Sequence, residues 1–427
     1  MPNINSDRLW KHLRQLAGIG KNQDGSITRF PFTPQDRQAE LLILSFMEEA
    51  GLDAGRDAAG NLIGRWIPEG LPAISTTEAS PDALSSPVIV GSHYDTVLEG
   101  GAFDGCLGLL GAIEAVQTLR ENGFTPSCPV YVIGFKDEEG NRFGYGMVGS
   151  RSICGRIEPE GLSSRDRDGI SLKDAMTAYG LDPSRLADCR IFPVRAMLEL
   201  HIEQGSTLDK AGEQIGIVTG IVGLQRYGIT VSGESNHAGT TMMEYRKDAL
   251  VGAAKLIAGF DRMAREYGNS MVATVGTISV FPGAVSVIPE QVEMVLEIRN
   301  LSEERLDRFA ADAVTMGRAI PDVETKFQPI VRKAPVRCDG RIGKMLEGLC
   351  LKEGYSFRKM PSGATHDGNA MAAKMPIGMI FVPSRDGISH NKKEFTPWED
   401  ASRGMQVLSG LLKKINSQGG LGSDCGL

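Results

Sequence analysis

Six histidines occur in the 427 residues, at positions 12, 93, 201, 237, 366 and 390. Five lie in short motifs dense in Gly, Ser, Asp, Glu or Asn. His12, flanked by Lys11 and Arg14, reads as a residue of a surface helix with no special role. His93 belongs to Gly91-Ser92-His93-Tyr94-Asp95-Thr96, and Asp104 to the glycine-rich run Gly100-Gly101-Ala102-Phe103-Asp104-Gly105. Lys136 precedes three consecutive carboxylates, Asp137, Glu138 and Glu139; His201 sits in Glu199-Leu200-His201-Ile202-Glu203-Gln204-Gly205 and His390 in Gly387-Ile388-Ser389-His390-Asn391. Alone, an acidic run is most often a solvated turn, and one imidazole after a strand a hydrogen-bonded structural residue. Together these nitrogen and oxygen donors form a set suited to zinc, manganese, cobalt or nickel and without thiolates.

Strand-like runs at 87–90, 129–135, 197–202 and 377–382 alternate with helical patterns such as 106–119, as in a parallel α/β sheet. The candidate donors then lie near or just past the carboxyl ends of strands, where open α/β sheets bind ligands. Thr33-Pro34 opens a helix over 35–50 that reads as packing only. Residues 68–86 read as an exposed loop and 417–427 as a frayed tail. Between 219 and 331 the order becomes strand, helix, two strands, helix, strand, the βαββαβ pattern of a ferredoxin-like α+β domain. The expected organisation is a catalytic domain in two parts, 1–218 and 332–427, interrupted by an inserted domain at 219–331.

A net charge of −7 offers no basic excess for phosphates, so nucleic acid is an unsuitable partner. Seven cysteines without a CxxC pair indicate neither a disulfide framework nor a thiolate zinc site and fit a reducing compartment. No apolar run reaches the length of about 18 residues that a membrane span requires, and residues 1–18 lack a signal-peptide core. The expectation is a cytoplasmic protein with no membrane partner.

DEEGNRF (137–143), LELHIEQG (198–205), ESNHAGTT (234–241), PSGATHD (361–367) and FVPSRDGISHN (381–391) closely resemble motifs of the M20-type metallopeptidase superfamily. The resemblance covers nearly the whole chain and is closest to the hydantoinase/carbamoylase branch, which holds N-carbamoyl-L-amino acid hydrolases, β-ureidopropionases and allantoate amidohydrolases. It implies a mixed-sheet dinuclear-metal hydrolase domain with an inserted ferredoxin-like dimerisation domain, hence a homodimer.

The resemblance further implies that Asp104 bridges two divalent ions (Zn, or Mn, Co or Ni), with His93 and His201 completing one and Glu139 and His390 the other. Asp95 would hold the His93 imidazole in its metal-binding tautomer. Glu138 would act as general base and acid, and His237, from the partner subunit, would stabilise an oxyanion. Arg299 would grip a substrate carboxylate through a paired fork, and Gln204 would contact substrate. Ser286 stands where the family usually has Asn in N-V-I-P, and Leu224 stands in a Gly-Gln-Arg-Arg segment that here reads Gly223-Leu224-Gln225-Arg226. His366 is expected to give a supporting hydrogen bond. The implied activity is removal of the N-carbamoyl group from an N-carbamoyl-L-amino acid, a small ureido acid. Alternatives are allantoate or another ureido acid as substrate, or a non-catalytic amino-acid-binding or metal-binding scaffold.

Overall fold

The computed structural model describes residues 3–70, 86–268, 270–417 and 421. Most of the expected loop at 68–86, and the tail beyond 417 apart from residue 421, lie outside the described residues. The chain forms two compact units, Met1–Thr219 with Cys338–Leu427, and Gly220–Arg337.

Thirteen strands occur among the described residues. They are β1 (Asp53–Arg56), β2 (Leu62–Trp66), β3 (Val88–His93), β4 (Val130–Phe135), β5 (Ala196–Ile202), β6 (Ile215–Ile221), β7 (Gly223–Ser232), β8 (Val272–Phe281), β9 (Gln291–Asn300), β10 (Glu324–Lys333), β11 (Val336–Arg337), β12 (Phe357–Ser362) and β13 (Ile377–Val382). The larger sheet runs β1-β2-β4-β3-β5-β13-β6-β11, with β12 also on β6. Its centre, β4-β3-β5-β13, is parallel. These four strands are buried along their whole length, which explains their near-continuous apolar runs. The flanks are antiparallel, so the expected parallel sheet is mixed. At one flank a tight turn forces this: Asp57 Oδ1 accepts from the Ala59 and Asn61 amides, both at 2.9 Å, and β1 folds straight back onto β2.

Helix Cys106–Glu121 is apolar around nearly its whole circumference and packs against β3 and β5. Helix Pro34–Glu49 starts where Thr33 accepts from the Asp36 amide and Pro34 presets the first turn. Two expectations change here. His12 is buried, because helix Ser6–Ala17 turns Leu9, His12, Leu13 and Leu16 inward, and its ring stacks on Phe46 at 3.8 Å. Helix Pro34–Glu49 does more than pack, because its Asp36 is a buried ion-pair partner of Lys136.

In the second unit β7, helix Ala249–Tyr267, β8, β9, helix Glu303–Arg318 and β10 form an antiparallel sheet ordered β10-β7-β9-β8. Leu256 and Phe260 of one helix and Leu306 and Phe309 of the other meet Val231, Val292, Met294 and Ile298 of the sheet. β9 accordingly alternates between buried and more exposed residues. The expected boundary at 331 falls inside β10, which passes a register shift between Pro329 and Val331 and stays paired with β7 to Lys333.

Candidate metal centre

The parallel strands deliver their carboxyl ends to one edge. His93, the last residue of β3, is level with Phe135 of β4, and His201 of β5 is level with Phe381 of β13. Tight turns then bring in the remaining donors. Gly105, at φ 63°, begins helix Cys106–Glu121 with the His93 ring against it; a Cβ there would lie 2.4 Å from His93 Cε1. Asp104 is thereby held beside His93.

Asp104 faces two sets of donors with its two oxygens. Oδ1 lies 3.1 Å from His201 Nε2 and 3.7 Å from His93 Nε2. Oδ2 lies 3.1 Å from His390 Nε2, which is itself 3.4 Å from Glu139 Oε1. The groups His93–Asp104–His201 and Asp104–Glu139–His390 each bring their donor atoms within 4.8 Å of one another. So does His93–Glu138–Glu139.

Hydrogen bonds select the free nitrogens. His93 Nδ1 lies 3.2 Å from the Asp95 carbonyl and His201 Nδ1 2.9 Å from the Ile202 carbonyl. A carbonyl only accepts, so both Nδ1 atoms carry hydrogen and both Nε2 atoms are left to bind. Asp104 Oδ1, His201 Nε2 and Glu138 Oε1 are buried without a hydrogen-bond partner. Such orphans are costly in a folded interior, and converging here they fit a cation. His93, Asp104 and His201 are 2%, 6% and 1% exposed, so the set is fixed by packing.

The acids and imidazoles perturb one another. Burial raises Glu138 well above the usual carboxylate range; His93 opposes this, while Glu139, Asp367 and Asp95 add to it. Burial and Asp104 push Glu139 up to about 7, against His93 and His390. The hydrogen bond that His390 donates to Asp104 holds the imidazole at about 9, despite burial. Burial would raise Asp104, but His201 and His390 hold it well below the usual range.

The acid turn is buried and braced from beneath. Lys136 Nζ meets Asp36 Oδ1 at 2.9 Å and Oδ2 at 2.8 Å, with both side chains 1% exposed. Asp36 escaped the sequence reading because an Asp in the first turn of a helix reads as a capping charge. Asp95 also holds the acid turn. Its carboxylate accepts from the Glu138 and Glu139 amides at 3.2 Å each and lies 3.6 Å from His93 Nδ1, while its main-chain carbonyl lies nearer. His366 Nε2 lies 2.7 Å from Ser362 Oγ, and its ring stands edge-on to His201 at 4.6 Å. Gln204 Nε2 donates to Asp104 Oδ2 at 2.9 Å.

His237, Ser286 and Arg299 belong to the second unit. The Ser286 carbonyl accepts from the Ala238 amide at 2.9 Å, joining the His237 loop to the segment before β9. His237 Nδ1 accepts from the Gly239 and Thr240 amides at 3.0 and 3.2 Å, so the neutral ring carries its hydrogen on Nε2, aimed outward as a donor. Arg299, in β9, donates from Nε to Glu297 Oε1 at 2.7 Å.

Residues 89–414 match the family described as peptidase family M20/M25/M40. Over 411 residues the chain is 44% identical to an N-carbamoyl-L-amino acid amidohydrolase of Geobacillus stearothermophilus, covering 95% of this chain and 97% of that one. It is 34% identical over 408 residues to an allantoate amidohydrolase of Bacillus subtilis (strain 168), covering 95% and 96%. The crystal structure of a hydantoinase/carbamoylase family amidase from Burkholderia multivorans matches with a TM-score of 0.87 at 32% identity, over 96% of this chain and 98% of that one. The chain therefore belongs to peptidase family M20/M25/M40 and, within that family of metal-dependent hydrolases, to the hydantoinase/carbamoylase branch.

Proposed function

We propose that this amidohydrolase removes the N-carbamoyl group of an N-carbamoyl-L-amino acid, yielding the L-amino acid, CO2 and ammonia. The observation that carries the reading is the two-sided Asp104: one oxygen toward His93 and His201, the other toward His390 with Glu139. His93, Asp104 and His201 would hold one divalent ion, and Asp104, Glu139 and His390 the second, chosen from Zn, Mn, Co or Ni. When bound, such ions lower the pKa of a shared water and polarise a carbonyl oxygen.

The protein's own groups do the rest. Glu138 Oε1, buried beside both ligand groups with no partner of its own, takes a proton from water and delivers it to the departing nitrogen. Asp95 fixes the backbone of the turn that carries Glu138. His237 offers Nε2–H to the developing oxyanion, and Arg299 pairs with the substrate carboxylate. Gln204 orients Asp104 and touches substrate, and Ser286 alters the carboxylate clamp where relatives carry Asn.

In this reading Gly220–Arg337 is the ferredoxin-like dimerisation domain, and His237 acts in the partner subunit of a homodimer. The six cysteines of the described residues are free thiols, which suits the cytoplasm. Allantoate is the second reading, favoured by the Bacillus subtilis relative. Chelated and Mn-, Co-, Ni- or Zn-reconstituted protein assayed on N-carbamoyl-L-methionine, N-carbamoyl-β-alanine and allantoate decides. Turnover of the first, abolished by chelation, is expected; preference for allantoate selects the second reading, and full turnover by verified metal-free protein removes the metal assignment.

A further inference from the structure

Four residues beyond His390 lies Glu394, in Ser389-His390-Asn391-Lys392-Lys393-Glu394. Asn391 turns this segment back on itself: its side chain accepts from the Lys393 amide at 3.0 Å and its carbonyl from the Glu394 amide at 2.9 Å. The Glu394 carboxylate thereby points inward and is only 5% exposed. Oε1 accepts from the main-chain amides of Phe103 at 2.9 Å and Asp104 at 3.0 Å. Oε2 accepts the Ser389 hydroxyl at 2.9 Å, and the same hydroxyl lies 3.4 Å from Asp104 Oδ2. One carboxylate thus holds, by three hydrogen bonds, the backbone of Asp104 and the neighbour of His390, residues that lie 286 positions apart.

Two further facts distinguish this from ordinary packing. Among the described residues no Lys or Arg forms an ion pair with Glu394, although a buried carboxylate next to another is expensive without a cation. The opposite wall is shaped to it, because a Cβ at Gly101 would lie 2.3 Å from Glu394 Oε1 and 2.4 Å from its Cβ. Glycine at 101 is what lets the carboxylate reach both amides.

We propose that Glu394 is a positioning residue that sets Asp104 and His390 at the separation both ions need. The proposal rests on the reading of those two residues as ligands. Outer partners of metal ligands typically contribute 10–100-fold to metal affinity. Mn(II) titration of the metal-free full-length protein, read by calorimetry and by electron paramagnetic resonance of the free ion, tests this without reference to turnover. Glu394→Ala should weaken Mn(II) binding by about 10–100-fold. Glu394→Gln should stay near wild type, because its amide oxygen still accepts both N–H groups. Gly101→Ala, which drives the side chain out from the other wall, should weaken binding as Glu394→Ala does, and it carries the test if Glu394→Ala does not fold. A purely structural residue would lower the melting temperature of the metal-free protein and leave the affinity of the folded fraction unchanged. Wild-type affinity in folded Glu394→Ala or Gly101→Ala, or equal weakening in the Ala and Gln variants, overturns the positioning role alone. A wild-type protein that binds no Mn(II), Zn(II), Co(II) or Ni(II) overturns the metal reading and the clamp with it.

Discussion

The two units present their candidate residues in opposite ways. In the first, His93, Asp104, His201 and Glu138 are buried at the carboxyl edge of the parallel strands, the imidazoles held by carbonyls of their own segments and the Asp104 and Glu138 amides by the Glu394 and Asp95 carboxylates from other segments. In the second, His237 and Ser286 lie on exposed loops held mainly by bonds within and between those two loops. Strand ends give the positional precision that ion binding and proton transfer demand, whereas loops tolerate change and suit the recognition of different substrates. The contrast implies that changes in the first unit abolish chemistry, while those in the second change its rate or selectivity.

The largest effect should come from Glu138→Gln, which removes the proton carrier and keeps the ligands. A fall in kcat of about 10²–10⁴-fold with unchanged metal content is expected. Normal turnover in that variant would break the division of labour. Next is His237→Ala, expected to lower kcat by about 10²–10³-fold, the scale of a lost oxyanion donor. Mixing His237→Ala with Glu138→Ala chains should restore part of the activity if the two residues serve one site from different chains. A proven mixed dimer that stays inactive would place them in the same chain.

Arg299→Lys should raise KM by about tenfold or more, because an ammonium cannot reproduce two parallel hydrogen bonds, with metal content unchanged. Ser286→Asn should shift kcat/KM between N-carbamoyl-L-methionine and allantoate by a smaller factor. Unchanged kinetics in both variants would move carboxylate recognition out of the second unit.

The smallest effect is in the metal-free protein. Glu139 at about 7 and His390 at about 9 both stand above their ordinary values of 4.5 and 6.5. The folded chain therefore holds more protons than the unfolded one, and that stabilisation is lost as pH rises through 7 and then 9. The melting temperature without metal should fall by a few degrees between pH 5 and pH 9, while the gain on adding Mn(II) grows. A metal-free melting temperature that rises over this range would contradict the shared-proton cluster.

The long buried elements could be read from the sequence because their signals are strong and local. The run at 377–382 coincides with β13, and the histidines at the ends of β3 and β5 and beyond β13 follow from where strands end. β1, β2, β6, β11 and β12 went unread, being flanking strands whose pairing is set by turns and neighbours more than by their own composition. Asp36 went unremarked and His12 was misjudged for a shared reason. A polar residue on an amphipathic helix looks exposed until its partner, Lys136 for one and Phe46 for the other, arrives from elsewhere in the chain. Glu394 carried no signal at all, since its bonds to Phe103 and Asp104 exist only once the ends of the first unit have met.

The place of β13 in the sheet also bears on how the protein is made. β13 lies between β5 and β6, yet it leaves the ribosome after the whole of Gly220–Arg337. The second unit is continuous in sequence and can complete its sheet early, while β5 waits with an open hydrogen-bonding edge. Until residues 377–394 emerge, Asp104 has neither His390 nor Glu394 beside it. Assembly of these donors is thereby deferred until residues 377–394 have emerged, when the sheet closes on its missing strand.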